Sequence, residues 1–158
     1  MDPATVETDD IRFMRLAIEQ ARLGDQTPGA GEVGCVIVSD GEVVAEGHNE
    51  ADLRHDPTAH AEMLAITQAE AAIGDWRLND CDLYVTKEPC PMCAGAIVHA
   101  RIRRVIFGCA DERGGAAGSV INLLQMPTLN HRCEITAGVL HNECAALLQS
   151  FFRARRGP

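Results

Sequence analysis

Residues 81 to 108, CDLYVTKEPCPMCAGAIVHARIRRVIFG, carry the pattern on which the fold turns. CDLYVT alternates as a strand, PCPMCAGAIVHARI opens a helix with proline in its first turn, and RRVIFGC, running to residue 109, reads as another strand. Strands that alternate with helices build a layered α/β domain.

Upstream, residues 9–24, DDIRFMRLAIEQARLG, predict an amphipathic helix capped by its aspartates and stopped at Gly24. VGCVIVSDGEVVAEGHN, residues 33–49, holds two β-branched runs around Asp40-Gly41, which predicts a tight hairpin and makes the sheet mixed. Residues 59–73 predict a second helix with Thr58 as its N-cap, after a loop over residues 50–60. Downstream, CEITAGVL (133–140) reads as a fifth strand and HNECAALLQSFFRARR (141–156) as the final helix. The glycine-rich ERGGAAGS (112–119) lacks the lysine and spacing of a phosphate-binding loop and reads as a connector. A chain of 158 residues, 46% hydrophobic, has material for one core, so a single domain over residues 1–158 is expected.

Seven cysteines without a secretory leader predict reduced thiols in a soluble, cytoplasmic protein, and no run of residues is apolar enough for a membrane span. The net charge of −9 argues against a nucleic-acid binder, but its distribution argues otherwise. Residues 1–93 carry a balance of −13 and residues 94–158 one of +4, with FFRARRGP at the end the most concentrated basic element.

Only Cys90 and Cys93 have the spacing of metal ligands, and two thiolates need a third partner. A histidine followed two residues later by glutamate would supply a ligand and a proton carrier. Three such pairs occur, at His48/Glu50, His60/Glu62 and His141/Glu143. Context separates them. His60 lies where the second helix begins, and in an α/β layer that start faces the start of the helix bearing Cys90 and Cys93. Helix N-termini favour thiolates, and three ligands leave a zinc ion one position for water, the arrangement of a catalytic rather than a structural site. A thioredoxin-like redox pair would account for the two cysteines but not for His60, Glu62, Glu88 or Pro89.

His60-Ala61-Glu62 together with Pro89-Cys90-Pro91-Met92-Cys93 resembles the signature of the zinc deaminase superfamily. RHDPTAHAE (54–62), MCAGAIVHARIRRVIFG (92–108), GAAGS (115–119), NHRCEITAGVL (130–140) and ECAALLQSFFRARR (143–156) extend the likeness, and the chain resembles the bacterial tRNA adenosine deaminases from about residue 11 to residue 156. The resemblance implies a three-layer α/β/α, cytidine deaminase-like fold with a mixed five-stranded sheet. It implies one Zn²⁺ per subunit on His60, Cys90 and Cys93, with Glu62 as proton shuttle. Asn49 would bond the flipped base, Asp111 and Asn130 the neighbouring nucleotides, and Phe152, Arg153 and Arg156 the tRNA anticodon stem-loop. A homodimer is also implied.

Two positions depart from the family. Lys87, the only lysine, stands where an apolar residue is usual, and either brings positive charge to the pocket or keeps its ammonium in solvent. Ala110 replaces a residue that is often basic. Wobble adenosine deamination is the activity expected. Deamination of guanine or another free nucleobase or nucleoside is the alternative, and a non-catalytic zinc module that only binds RNA or a partner chain is a third reading. The Arg-rich last helix and Glu62 are the features that discriminate them.

Overall fold

A computed structural model describes residues 7–156, excluding the side chains at 155 and 156. The order of elements is α1 (Asp9–Gln26), β1 (Gly34–Ser39), β2 (Glu42–His48), α2 (Ala51–Arg54), α3 (Ala61–Ile73), β3 (Cys81–Lys87), α4 (Pro91–His99), β4 (Arg104–Cys109), β5 (Glu134–Ala137) and α5 (His141–Arg156). The five strands form one sheet in the order β2-β1-β3-β4-β5. β1 runs antiparallel to both neighbours, while β3, β4 and β5 are parallel, so the sheet is mixed as expected.

The hairpin forms where Asp40-Gly41 allows it. Both residues adopt positive φ, 52° and 78°, the backbone of a two-residue type I′ turn, and Ser39 pairs with Glu42 across it. Alternation along the strands then divides the core. Cys35, Ile37, Leu83, Val85, Val105 and Phe107 point to the layer of α3 and α4, whereas Val36, Val38, Tyr84 and Ile106 point to α1 and α5. Helices therefore cover both faces, the three-layer arrangement implied by the family resemblance. Ala61, Ala65 and Ala69, all fully buried, recur every four residues and let α3 lie close on β1 and β2.

Local details differ from the sequence expectations. Thr8, not an aspartate, caps α1, its hydroxyl accepting from the Ile11 amide at 3.2 Å. The helix also runs past Gly24 to Gln26, because that glycine serves a close approach: a Cβ there would fall 2.0 Å from the Gly31 carbonyl oxygen. Thr58 does not cap α3. Its amide and hydroxyl both donate to the Asp56 carboxylate at 2.8 and 2.7 Å, and His60 takes the N-cap position instead. The predicted loop 50–60 contains the single turn of α2, closed by His55 at φ 52°. β5 ends at Ala137, where Gly138 turns to φ 85°. No helix among the described residues is long and apolar enough to cross a membrane.

Candidate active site

Residues His60 and Cys90 are the N-caps of α3 and α4, both with extended backbone, and neither spends its side chain on a capping hydrogen bond. At that position a Ser, Thr or Asp would bond its own helix; here the imidazole and the sulfur are left to face each other across the gap between the two helix starts. Pro91 occupies the first turn of α4, where its missing N–H costs nothing, and places Cys93 one turn in, fully buried. His60 Nδ1 lies 3.6 Å from Cys90 Sγ and 3.5 Å from Cys93 Sγ. A tetrahedral ion with Zn–S near 2.3 Å and Zn–N near 2.0 Å would hold a nitrogen and a sulfur about 3.5 Å apart, so the spacing fits zinc. This is the one group of three or more His, Cys, Asp or Glu side chains suited to a metal among the described residues.

Thiol chemistry points the same way. The adjacent Cys93 thiol, outweighing burial, pulls Cys90 down to about 5, while Cys93 itself is pushed up by its bond to Cys90 and by burial. A cation held between them would replace the shared proton and take both sulfurs as thiolates. All seven cysteines are free, and burial pushes Cys133 and Cys144 up to about 12, which leaves them inert.

Glu62 follows on the second residue of α3, 4% exposed. Burial pushes its carboxyl up to about 7, with the charge of Cys90 acting in the same direction. A carboxyl poised there can both take and give a proton near neutrality.

A cleft opens above these residues. Asn49, His60, Glu62, Cys90 and Asp111 all line it, as do Lys87 and Glu32. Asn49 accepts from the Ala51 amide through Oδ1 at 3.0 Å, which leaves its Nδ2 as a donor. The other expected residues lie further out. Phe152 is on α5 beside an adjoining groove, Arg153 is exposed on the same helix, and Asn130 is exposed in the loop before β5; none of the three lines the cleft. The side chain of Arg156 lies outside the described residues.

One residue of the site escaped the sequence reading, and another was named there without a role. Glu32 is 8% exposed, and its carboxylate has no hydrogen bond or ion pair among the described residues. Its only signal in the sequence was an acid placed directly before the apolar run of β1. Glu88 is the second. Its carboxylate accepts from the amides of Asp111, Ala117 and Ser119 at 3.0, 2.9 and 3.1 Å and from the Ser119 hydroxyl. Burial alone would raise it, but these donors together hold it below the usual carboxylate range. The glycine-rich segment is thus more than a connector. It wraps around Glu88 so tightly that a Cβ on Gly115 would fall 2.3 Å from the Glu88 carboxyl carbon.

The fold and this cluster agree with what is found among known proteins. A profile of the MafB19-like deaminases matches residues 8–156, and the chain belongs to this deaminase family. Over 149 residues it is 45% identical to a tRNA-specific adenosine deaminase of Bacillus subtilis, covering 94% of this chain and 92% of that one. A protein of the same name in Haemophilus influenzae is 44% identical over 160 residues, 99% and 91% of the two chains. A solved structure from work on A-to-I editing by tRNA:A34 deaminases superposes with a TM-score of 0.82 at 41% identity, covering 86% of this chain and 98% of that one. Within the family the chain groups with the tRNA-specific adenosine deaminases.

Proposed function

We propose that the protein hydrolyses adenosine to inosine at the wobble position of a tRNA anticodon, with zinc held by His60, Cys90 and Cys93. One observation carries the reading: an imidazole nitrogen 3.5–3.6 Å from two sulfurs, beside a buried carboxyl, in a cleft that Asn49 also lines. When bound, zinc supplies the Lewis acidity that makes water a nucleophile at neutral pH. Glu62 takes one proton from the attacking water as its oxygen bonds to C6 of the purine and places it on ring N1. It then carries the remaining proton of the new C6 hydroxyl to the exocyclic nitrogen as the C6–N bond breaks and ammonia leaves. Asn49, its oxygen already committed to Ala51, donates from Nδ2 to a ring nitrogen and orients the base.

An anticodon loop offers unpaired bases that can be splayed into such a cleft. Phe152 with Arg153 and Arg156 would grip the loop by stacking and phosphate contact, and Asn130 with the segment around Asp111 would meet the nucleotides on either side. The single-domain chain acts in the cytoplasm as a homodimer with one zinc per subunit.

Incubation of the purified chain with an anticodon stem-loop, followed by mass spectrometry, is expected to show the one-dalton gain of adenosine-to-inosine conversion at one position. Removal of residues 151–158 is expected to abolish it. Equal turnover of free guanine or adenosine by the intact and shortened chains, with the stem-loop untouched, would give the small-molecule reading instead.

A further inference from the structure

We infer that Lys87 binds a phosphate of the nucleotide beside the target, guiding the RNA strand from the catalytic cleft onto α5; the inference rests on the tRNA reading above. Lys87 ends β3, three residues before the ligand Cys90, and is the only lysine of the chain. Its side chain is 30% exposed, and its Nζ lies 3.2 Å from Asp111 Oδ2, so it is held at the cleft rather than free in solvent.

Asp111 is in turn fixed, its Oδ1 accepting from the Arg113 and Gly114 amides at 3.1 Å each. Its acceptors are thereby engaged with its own loop and with Lys87. Of the Lys and Arg side chains, Lys87 alone lines the cleft, and its ammonium has three donors of which one goes to Asp111. A half-exposed pair of this kind adds little to stability, typically under about 1 kcal/mol, so the fold gives no strong reason for it.

Location makes the choice of ligand. Lys87 lines both the cleft and the adjoining groove formed by Ala110, Asp111, Glu112, Arg113, Leu148 and Phe152. In the cleft the other ionisable side chains, apart from the expected metal ligands His60 and Cys90, are the carboxylates of Glu32, Glu62, Glu88 and Asp111. A phosphodiester entering a chain of net charge −9 through a cleft of acids needs a cation at the point of passage. A neutral free base does not.

The test compares steady-state inosine formation on an anticodon stem-loop from about 50 to 300 mM salt for wild type, Lys87→Met, Lys87→Arg and Arg77→Ala, the last removing an exposed cation distant from the cleft. Lys87→Met is expected to raise KM about fivefold at low salt with kcat little moved. The slope of log kcat/KM against log salt should flatten by about 0.7–0.9, while Lys87→Arg and Arg77→Ala keep the wild-type slope. Should Lys87→Met fail to fold, Lys87→Gln, which keeps a donor for Asp111 without the charge, reads the same slope. An unchanged slope in the neutral variants overturns the role of Lys87. Absence of inosine with wild type would instead remove the tRNA reading on which it rests.

Discussion

Where α3 and α4 begin, His60, Glu62, Cys90 and Cys93 all sit within three residues of a helix start, and Glu62 and Cys93 are 4% and 0% exposed. On the α5 side, Phe152 is 47% exposed and meets Phe151 edge to face at 5.7 Å, while Arg153 projects into solvent. The first region is positioned by backbone and burial before any substrate arrives. The second is a set of long or aromatic side chains that burial does not fix. Substitutions in the corner should therefore act on turnover, and those on α5 on binding.

The strongest way to break this contrast is at the metal. Cys93→Ala is expected to lose its equivalent of zinc by elemental analysis and to leave inosine formation below about a thousandth of wild type. Full activity in this variant would remove the corner from the chemistry. Glu62→Ala should fold and keep zinc, yet lose about 10²- to 10⁴-fold in kcat with KM nearly constant. A loss confined to KM would place Glu62 among the binding residues.

Glu88 ties the corner to the loop of residues 111–119, and its replacement sharpens the comparison. Glu88→Ala strands the amides of Asp111, Ala117 and Ser119 and should cost about 3 kcal/mol in urea unfolding. Because the carboxyl lies low in the fold, its stabilisation is present above the unfolded value and fades as pH falls through the folded one. Phe152→Ala should raise KM for the stem-loop by the equivalent of about 1–2 kcal/mol while leaving kcat in place.

The smallest effect is expected far from both regions. Asp10 accepts from Arg104 at 3.0 Å and from the Tyr84 hydroxyl at 2.7 Å, tying the first turn of α1 to β3 and β4. Burial opposes its ionisation, but the bonds from Arg104 and Tyr84 prevail and hold it below the usual range. Asp10→Asn should cost about 1 kcal/mol at pH 7, a difference complete above about pH 4 and lost as pH falls through the lowered folded value. An equal difference at pH 2 and pH 7 would show that the ionised carboxylate is not its source.

Features written in adjacent residues were legible without coordinates. Asp40-Gly41 specifies its own turn, Pro91 its helix start, and the strand periodicity its two faces, because each depends on local sterics. His60 was separable from His48 and His141 only through the order of elements, which places two helix starts together. What remained hidden depends on distant partners. Glu88 meets its donors 23 to 31 residues away, and Gly24 is explained by a carbonyl at residue 31. Thr58 looked like a cap until Asp56 claimed both of its donors. Composition is equally silent on Glu32, whose meaning comes from the cleft it faces.

Glu88 lies two residues from Cys90 in the chain and at the centre of the turn formed by residues 111–119. That segment cannot be lengthened or shortened without unthreading the carboxylate, and any such displacement would be felt at Cys90 through Pro89. New substrate preferences in this scaffold must therefore arise by exchanging side chains at positions such as 87, 110 and 113, with loop length held constant.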